Sequence, residues 1–147
     1  MNLPKDVRIM AVDDEISVLE SLKMILKIKD YQIDGFLSGH EAIDNFAKDK
    51  YDVIFLDMII PSASNDHDKK SYNNGIDLLR KIKSIDPGVE VIIITAYPSE
   101  TTHANAVTLG AMEYIKKPFL VEDIYEVVAR ALYKRSIRKN KEEEKQK

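Results

Sequence analysis

The chain contains no cysteine. That excludes a disulfide scaffold, a thiolate zinc site and a cysteine nucleophile, and it suits a reducing compartment. It also lacks any apolar run near the 18 or more residues that a membrane helix needs. Its opening segment, MNLPKDVRIM, has no apolar core of the kind a secretory signal carries. A cytoplasmic location without membrane insertion is therefore the expectation. Clustered positive charge is missing from most of the chain as well. The net charge is −3, yet residues 134–147 hold seven Lys/Arg against three Glu, which leaves about −7 on the body before them. Nucleic-acid binding by such an acidic body is not expected, because phosphate contacts need grouped Lys and Arg.

What is present is the balance of one globular domain. There are 147 residues, 44% hydrophobic and 32% charged, enough for a real core but not for two. Apolar periodicity divides the chain into alternating elements. Arg8–Val12 (RIMAV) reads as a buried strand (β1) that ends at Asp13, Asp14 and Glu15. Ile16–Lys29 has Val18, Leu19, Leu22, Ile25 and Leu26 at helical spacing (α1). Gln32–Phe36 suits a second strand (β2). Ser38-Gly39-His40-Glu41 has the form of a capping box, which predicts a helix to about Lys48 (α2). Val53–Leu56 (VIFL) is apolar throughout, as in a strand covered on both faces (β3).

Gly75–Ile85 is helical (α3), and Val89–Thr95 (VEVIIIT) is another apolar strand (β4). Glu100–Leu109 reads as a weak helix (α4) closed by Gly110. Glu113–Lys116 is a brief strand (β5), and Val121 to about Arg135 a final helix (α5). Five strands alternating with five helices predict an α/β fold of (βα)5 type, a doubly wound parallel sheet. In such sheets the chemistry lies beyond the carboxyl ends of the strands.

Those ends carry Asp13-Asp14, Leu37-Ser38, Asp57, Thr95-Ala96 and Lys117-Pro118. Crowded carboxylates raise one another's pKa unless a cation keeps them ionised. Oxygen donors without His or Cys select a hard ion such as Mg²⁺. Taken singly, an Asp after a strand is often a helix cap, a terminal Thr structural and a Lys before Pro solvated. Matches at four separate strand ends are not explained by capping.

Over residues 6–135 the chain resembles response-regulator receiver domains. The resemblance rests on VDDE (12–15), VIFLDMIIP (53–61), GIDLLRKIK (75–83), VIIITAY (91–97) and GAMEYIKKPF (110–119). It implies a flavodoxin-like strand order 2-1-3-4-5 and a two-component phosphorylation switch rather than an enzyme. Asp57 would take a phosphoryl group from a phosphohistidine on a sensor histidine kinase. Asp14, Asp57, Asp13 (through water) and the backbone carbonyl of Ile59 would hold Mg²⁺ or Mn²⁺. Lys117 would clamp the phosphoryl oxygens, beside a cis bond to Pro118. Thr95 and Tyr114 would form the switch, with Tyr114 turning from solvent inward. Ile59 and Tyr97 would set the lifetime of the phosphorylated form. A downstream partner or output domain would read the α4–β5–α5 face, and a homodimer on phosphorylation is a further expectation.

Two features depart from the family pattern. Ile60 replaces the usual Met, and about ten residues are inserted near 62–74, a long loop for a compact domain. His67 between Asp66 and Asp68 reads as a solvated loop rather than a metal site, since flexible acids around one His lack fixed geometry. The insertion is a candidate to cover the pocket and alter kinase docking. Residues 136–147 read as a charged tail, either a helical extension or a linker. Two alternatives stand beside the switch. One is a receiver fragment of a longer transcriptional regulator. The other is an Mg²⁺-dependent aspartyl-phosphate phosphatase, which would need a D-x-D pair after its first strand, whereas Asp13 and Asp14 are adjacent.

Overall fold

Val53–Asp57 (β3) is buried along its whole length, as a strand must be when helices cover both faces of its sheet. The computed structural model describes residues 6–58 and 75–145. Within them β1 (Arg8–Val12), β2 (Gln32–Phe36), β3, β4 (Glu90–Thr95) and β5 (Glu113–Lys116) form one parallel sheet in the order β2-β1-β3-β4-β5. The expected topology is found. The order reverses direction at β1 and β3, so a crevice opens between the ends of those two strands.

The strand period of two sorts the core into two layers. Met10, Val12, Ile54, Leu56, Val91 and Ile93 face one way, joining Leu78, Leu79 and Ile82 of α3 (Gly75–Ile85), Ala42 of α2 (Gly39–Asp44) and Ala106 of α4 (Glu100–Thr108). Ile9, Ala11, Val53, Phe55, Ile92 and Ile94 face the other, against Leu19, Leu22 and Leu26 of α1 (Ile16–Lys27) and Ile124, Val127, Val128, Ala131 and Leu132 of α5 (Val121–Lys145). Each large side chain buried in this way contributes roughly 1.5–3 kcal/mol. The two layers hold β1 and β3 rigidly at the centre of the sheet.

Three helix ends differ by two residues or more from the ranges read from periodicity. Ser38 does cap α2, accepting from the Glu41 amide at 3.2 Å, but the helix stops at Asp44 instead of Lys48. Asn45 explains the stop, because its side-chain amide donates to the Glu41 carbonyl at 2.8 Å and so occupies a terminal acceptor that would otherwise be left open. α1 ends two residues early, at Lys27, before a turn in which Asp30 has φ of 60°. α5 runs the other way, continuing unbroken to Lys145, ten residues past the end set by its apolar periodicity, so the tail after Arg135 is the helical extension, one of the two forms expected for it.

Candidate functional site

The β1 turn sets the first part of the site. The Asp13 amide donates to the Phe36 carbonyl at 3.0 Å, and its carboxylate accepts from the Glu15 amide at 2.9 Å. The side chain is thereby held at the mouth of the crevice, only 3% exposed, while Asp14 beside it is open to solvent. β3 delivers Asp57, also buried, at the adjacent strand end. β5 delivers Lys117, whose amide donates to the Thr95 carbonyl at 2.8 Å. The Lys117-Pro118 bond is cis, as the resemblance implied.

Lys117 Nζ is the hub. It lies 2.7 Å from Asp13 Oδ2, 3.1 Å from Asp57 Oδ2 and 3.2 Å from Glu15 Oε1. Burial works against its charge, but the hydrogen bonds and charges of Asp13 and Asp57 prevail and raise its pKa above the ordinary lysine range. Asp13 is pushed up to about 6, first by burial and further by the charge of Asp57, against the lowering effect of its hydrogen bonds from Lys117 and Glu15. Glu15 was not singled out by the sequence. It caps α1 without a side-chain cap bond, and only the fold brings it to a lysine 102 positions away.

The Asp13 shift has a measurable consequence. A carboxyl whose folded pKa is near 6 rather than 3.8 stabilises the protein fully below pH 3.8, and that contribution is lost as pH rises through 6. Without divalent cations, this group should leave the protein less stable at pH 7 than at pH 4, by up to about 3 kcal/mol. Urea midpoints at the two pH values check this, with Asp13→Asn expected to remove the difference.

Asp13, Asp14, Glu15 and Asp57 each offer one oxygen, all within 4.8 Å of one another. An all-oxygen donor set of this kind suits Mg²⁺ or Mn²⁺ and gives no preference to zinc or copper. Ile59, expected to add its carbonyl, lies outside the described residues, as do Ile60, His67 and the whole 62–74 insertion.

Thr95 ends β4 fully buried, and its Oγ1 accepts from the Tyr97 amide at 3.2 Å. The Tyr97 side chain is 75% exposed, so any shielding of the pocket would require the β4–α4 loop to draw it inward. Tyr114 is half-buried on β5, stacked on His103 of α4 with ring centroids 4.7 Å apart. Its hydroxyl is buried with no hydrogen-bond partner among the described residues. The ring is thus turned in rather than out.

Gly75 completes the site from the α3 side. Its amide donates to the Met58 carbonyl at 2.9 Å, and a Cβ there would stand 2.6 Å from the Asp57 carbonyl oxygen and 2.7 Å from Met58 Cα. Neither backbone atom has room to yield. Only glycine lets α3 begin against the end of β3.

The model of the response regulator receiver domain matches residues 9–129. The chain belongs to that family. Response regulator MprA of Mycolicibacterium vanbaalenii is 30% identical over 118 residues, covering 80% of this chain and 47% of that protein. The probable transcriptional regulatory protein TcrX of Mycobacterium tuberculosis is 30% identical over 130 residues, 88% of this chain and 51% of its own length. The receiver domain thus spans about half the length of the curated relatives it matches. Among solved structures, a CheY-like receiver domain protein from Methanospirillum hungatei superposes with a TM-score of 0.81 at 25% identity, covering 91% of this chain and 99% of that one. The structure of adenylate cyclase from Rhodopirellula baltica gives 0.82 at 28% identity, covering 97% of this chain and 98% of that one. No helix among the described residues is long and apolar enough to cross a membrane.

Proposed function

We propose that this receiver domain accepts a phosphoryl group on Asp57 from a phosphohistidine of a sensor histidine kinase. The observation that carries the reading is the Lys117 ammonium held 3.1 Å from Asp57 Oδ2 and 2.7 Å from Asp13 Oδ2. A carboxylate oxygen of Asp57 attacks phosphorus in line, the P–N bond breaks, and the imidazole leaves. Lys117 lies where a phosphoryl oxygen on Asp57 would meet a positive charge already in place, so little reorganisation is needed. Asp14, Asp57, Asp13 and the Ile59 carbonyl would hold Mg²⁺ or Mn²⁺, which supplies charge neutralisation of the phosphoryl oxygens when bound.

The Thr95 hydroxyl then donates to a phosphoryl oxygen and draws the β4–α4 loop inward. Tyr114, with its hydroxyl already out of solvent, is stabilised in that inward position. The result is a population shift of the α4–β5–α5 face toward the form that a partner, an output domain or a second copy binds. The setting is cytoplasmic, and the role is that of a stoichiometric acceptor rather than a turnover enzyme.

Intact-mass measurement after incubation with acetyl phosphate and Mg²⁺ tests this. One phosphoryl group per chain is expected. Neither Tyr97 nor Ile59 has a side chain suited to orienting an attacking water, so the adduct should persist for minutes or longer. Continuous turnover of acetyl phosphate would favour the phosphatase reading instead.

A further inference from the structure

The sheet edge opposite the site carries a second set of charges that phosphorylation does not use. β3 and β4 end in Asp57 and Thr95, and at their beginnings stand Asp52 and Glu90. Both acids are buried, Glu90 completely. Glu90 lies 3.2 Å from Arg138 Nη2 and 3.6 Å from Lys134 Nζ, and neither of its oxygens has an aligned hydrogen bond among the described residues. Asp52 Oδ1 lies 3.0 Å from Nε of Arg135, itself buried, while Asp52 Oδ2 accepts from the Arg8 amide at 3.0 Å. Arg135 and Arg138 also donate to the Gly88 and Pro87 carbonyls at 2.8 and 3.1 Å. The three cations all come from α5 after Tyr133.

Apolar packing does not hold that part of the helix. The last buried apolar side chain of α5 is Leu132, and beyond it the only buried residue is Arg135. A helical segment of some twelve residues is marginal by itself in water. A buried carboxylate short of cations costs several kcal/mol; Lys83 of α3 also feels the Glu90 charge, but the cations in contact with Glu90 and Asp52 come from α5, so both acids favour docking. Charge contacts therefore decide whether the segment lies against the body.

We propose that residues 134–145 are a charge-latched arm of α5, docked through Lys134, Arg135 and Arg138 onto Glu90 and Asp52, and released as a unit when those pairs break, with the sheet intact. The latch sits on the same two strands as Asp57 and Thr95, five residues or about 16 Å away along each. It fixes the direction in which the chain leaves the domain. It also commits three of the seven basic residues of 134–147 to the body, which removes them from any phosphate-binding patch.

Hydrogen exchange on the full chain, read by mass spectrometry, tests the proposal. In the wild type at low salt, amides of 134–145 should be protected well above free-chain rates. The Lys134→Ala/Arg138→Ala double variant and Glu90→Gln should each cut that protection about tenfold or more, with β3 and β4 unchanged. The double variant alters only the helix side of the latch, so it decides the matter if Glu90→Gln fails to fold. Free-chain exchange in the wild type, or unchanged protection of the arm in the double variant, would overturn the latch. Loss of sheet and arm protection together would overturn its independent release.

Discussion

Replacing Asp57 with Asn should abolish phosphorylation by acetyl phosphate, lowering the rate by at least about a thousandfold, because an amide cannot form the acyl phosphate. The fold should survive. Asp57 is buried beside Asp13, and their charges oppose each other, so neutralising one relieves repulsion while Lys117 keeps Asp13 and Glu15 as partners. Intact-mass spectra and urea midpoints together report both effects. Undiminished incorporation into a folded Asp57→Asn protein would place the acceptor elsewhere, and the exposed neighbour Asp14 would then be the first residue to examine.

Lys117→Ala should act through a different balance. The ammonium is the counter-charge common to three carboxylates. Removing it withdraws a fixed positive charge from the phosphoryl oxygens, for which a loss of about 10²–10³ in phosphorylation rate is expected. In the same variant the acids lose a competing cation, so affinity for Mg²⁺ should rise even as the chemistry slows. Rates measured at saturating Mg²⁺ separate the two changes. A phosphorylation rate equal to that of the wild type would remove Lys117 from the reaction.

The fold and the central residues were legible because each is encoded locally. VIFL and VIII are apolar without interruption, as strands under two helical layers must be, and Asp57 and Thr95 follow them directly. Lys117 was marked by its position before Pro118 at the end of a short strand. Other features needed the third dimension. Asp52 and Glu90 are acids at buried strand starts whose cations lie 44 or more positions later in α5, and no local pattern joins them. The length of α5 was legible only as one of two alternatives, since apolar periodicity ends at Leu132 and the continuation is held by charge. Glu15 was visible only as the third acid after β1, with nothing local to join it to Lys117. Gly75 was visible as a motif glycine, but its reason, the closeness of the Asp57 carbonyl, appears only once β3 and α3 are in place.

The stacking of His103 on Tyr114 gives the domain a reporter of its own. Two rings 4.7 Å apart and inclined by only 16° lie in each other's ring currents. The chain has three histidines and no tryptophan, so few imidazole signals compete with those of His103, which the Tyr114 ring shifts. Movement of Tyr114 away from α4 would return those signals toward their solvent positions. The state of the α4–β5 face can thus be followed in solution without attaching a label.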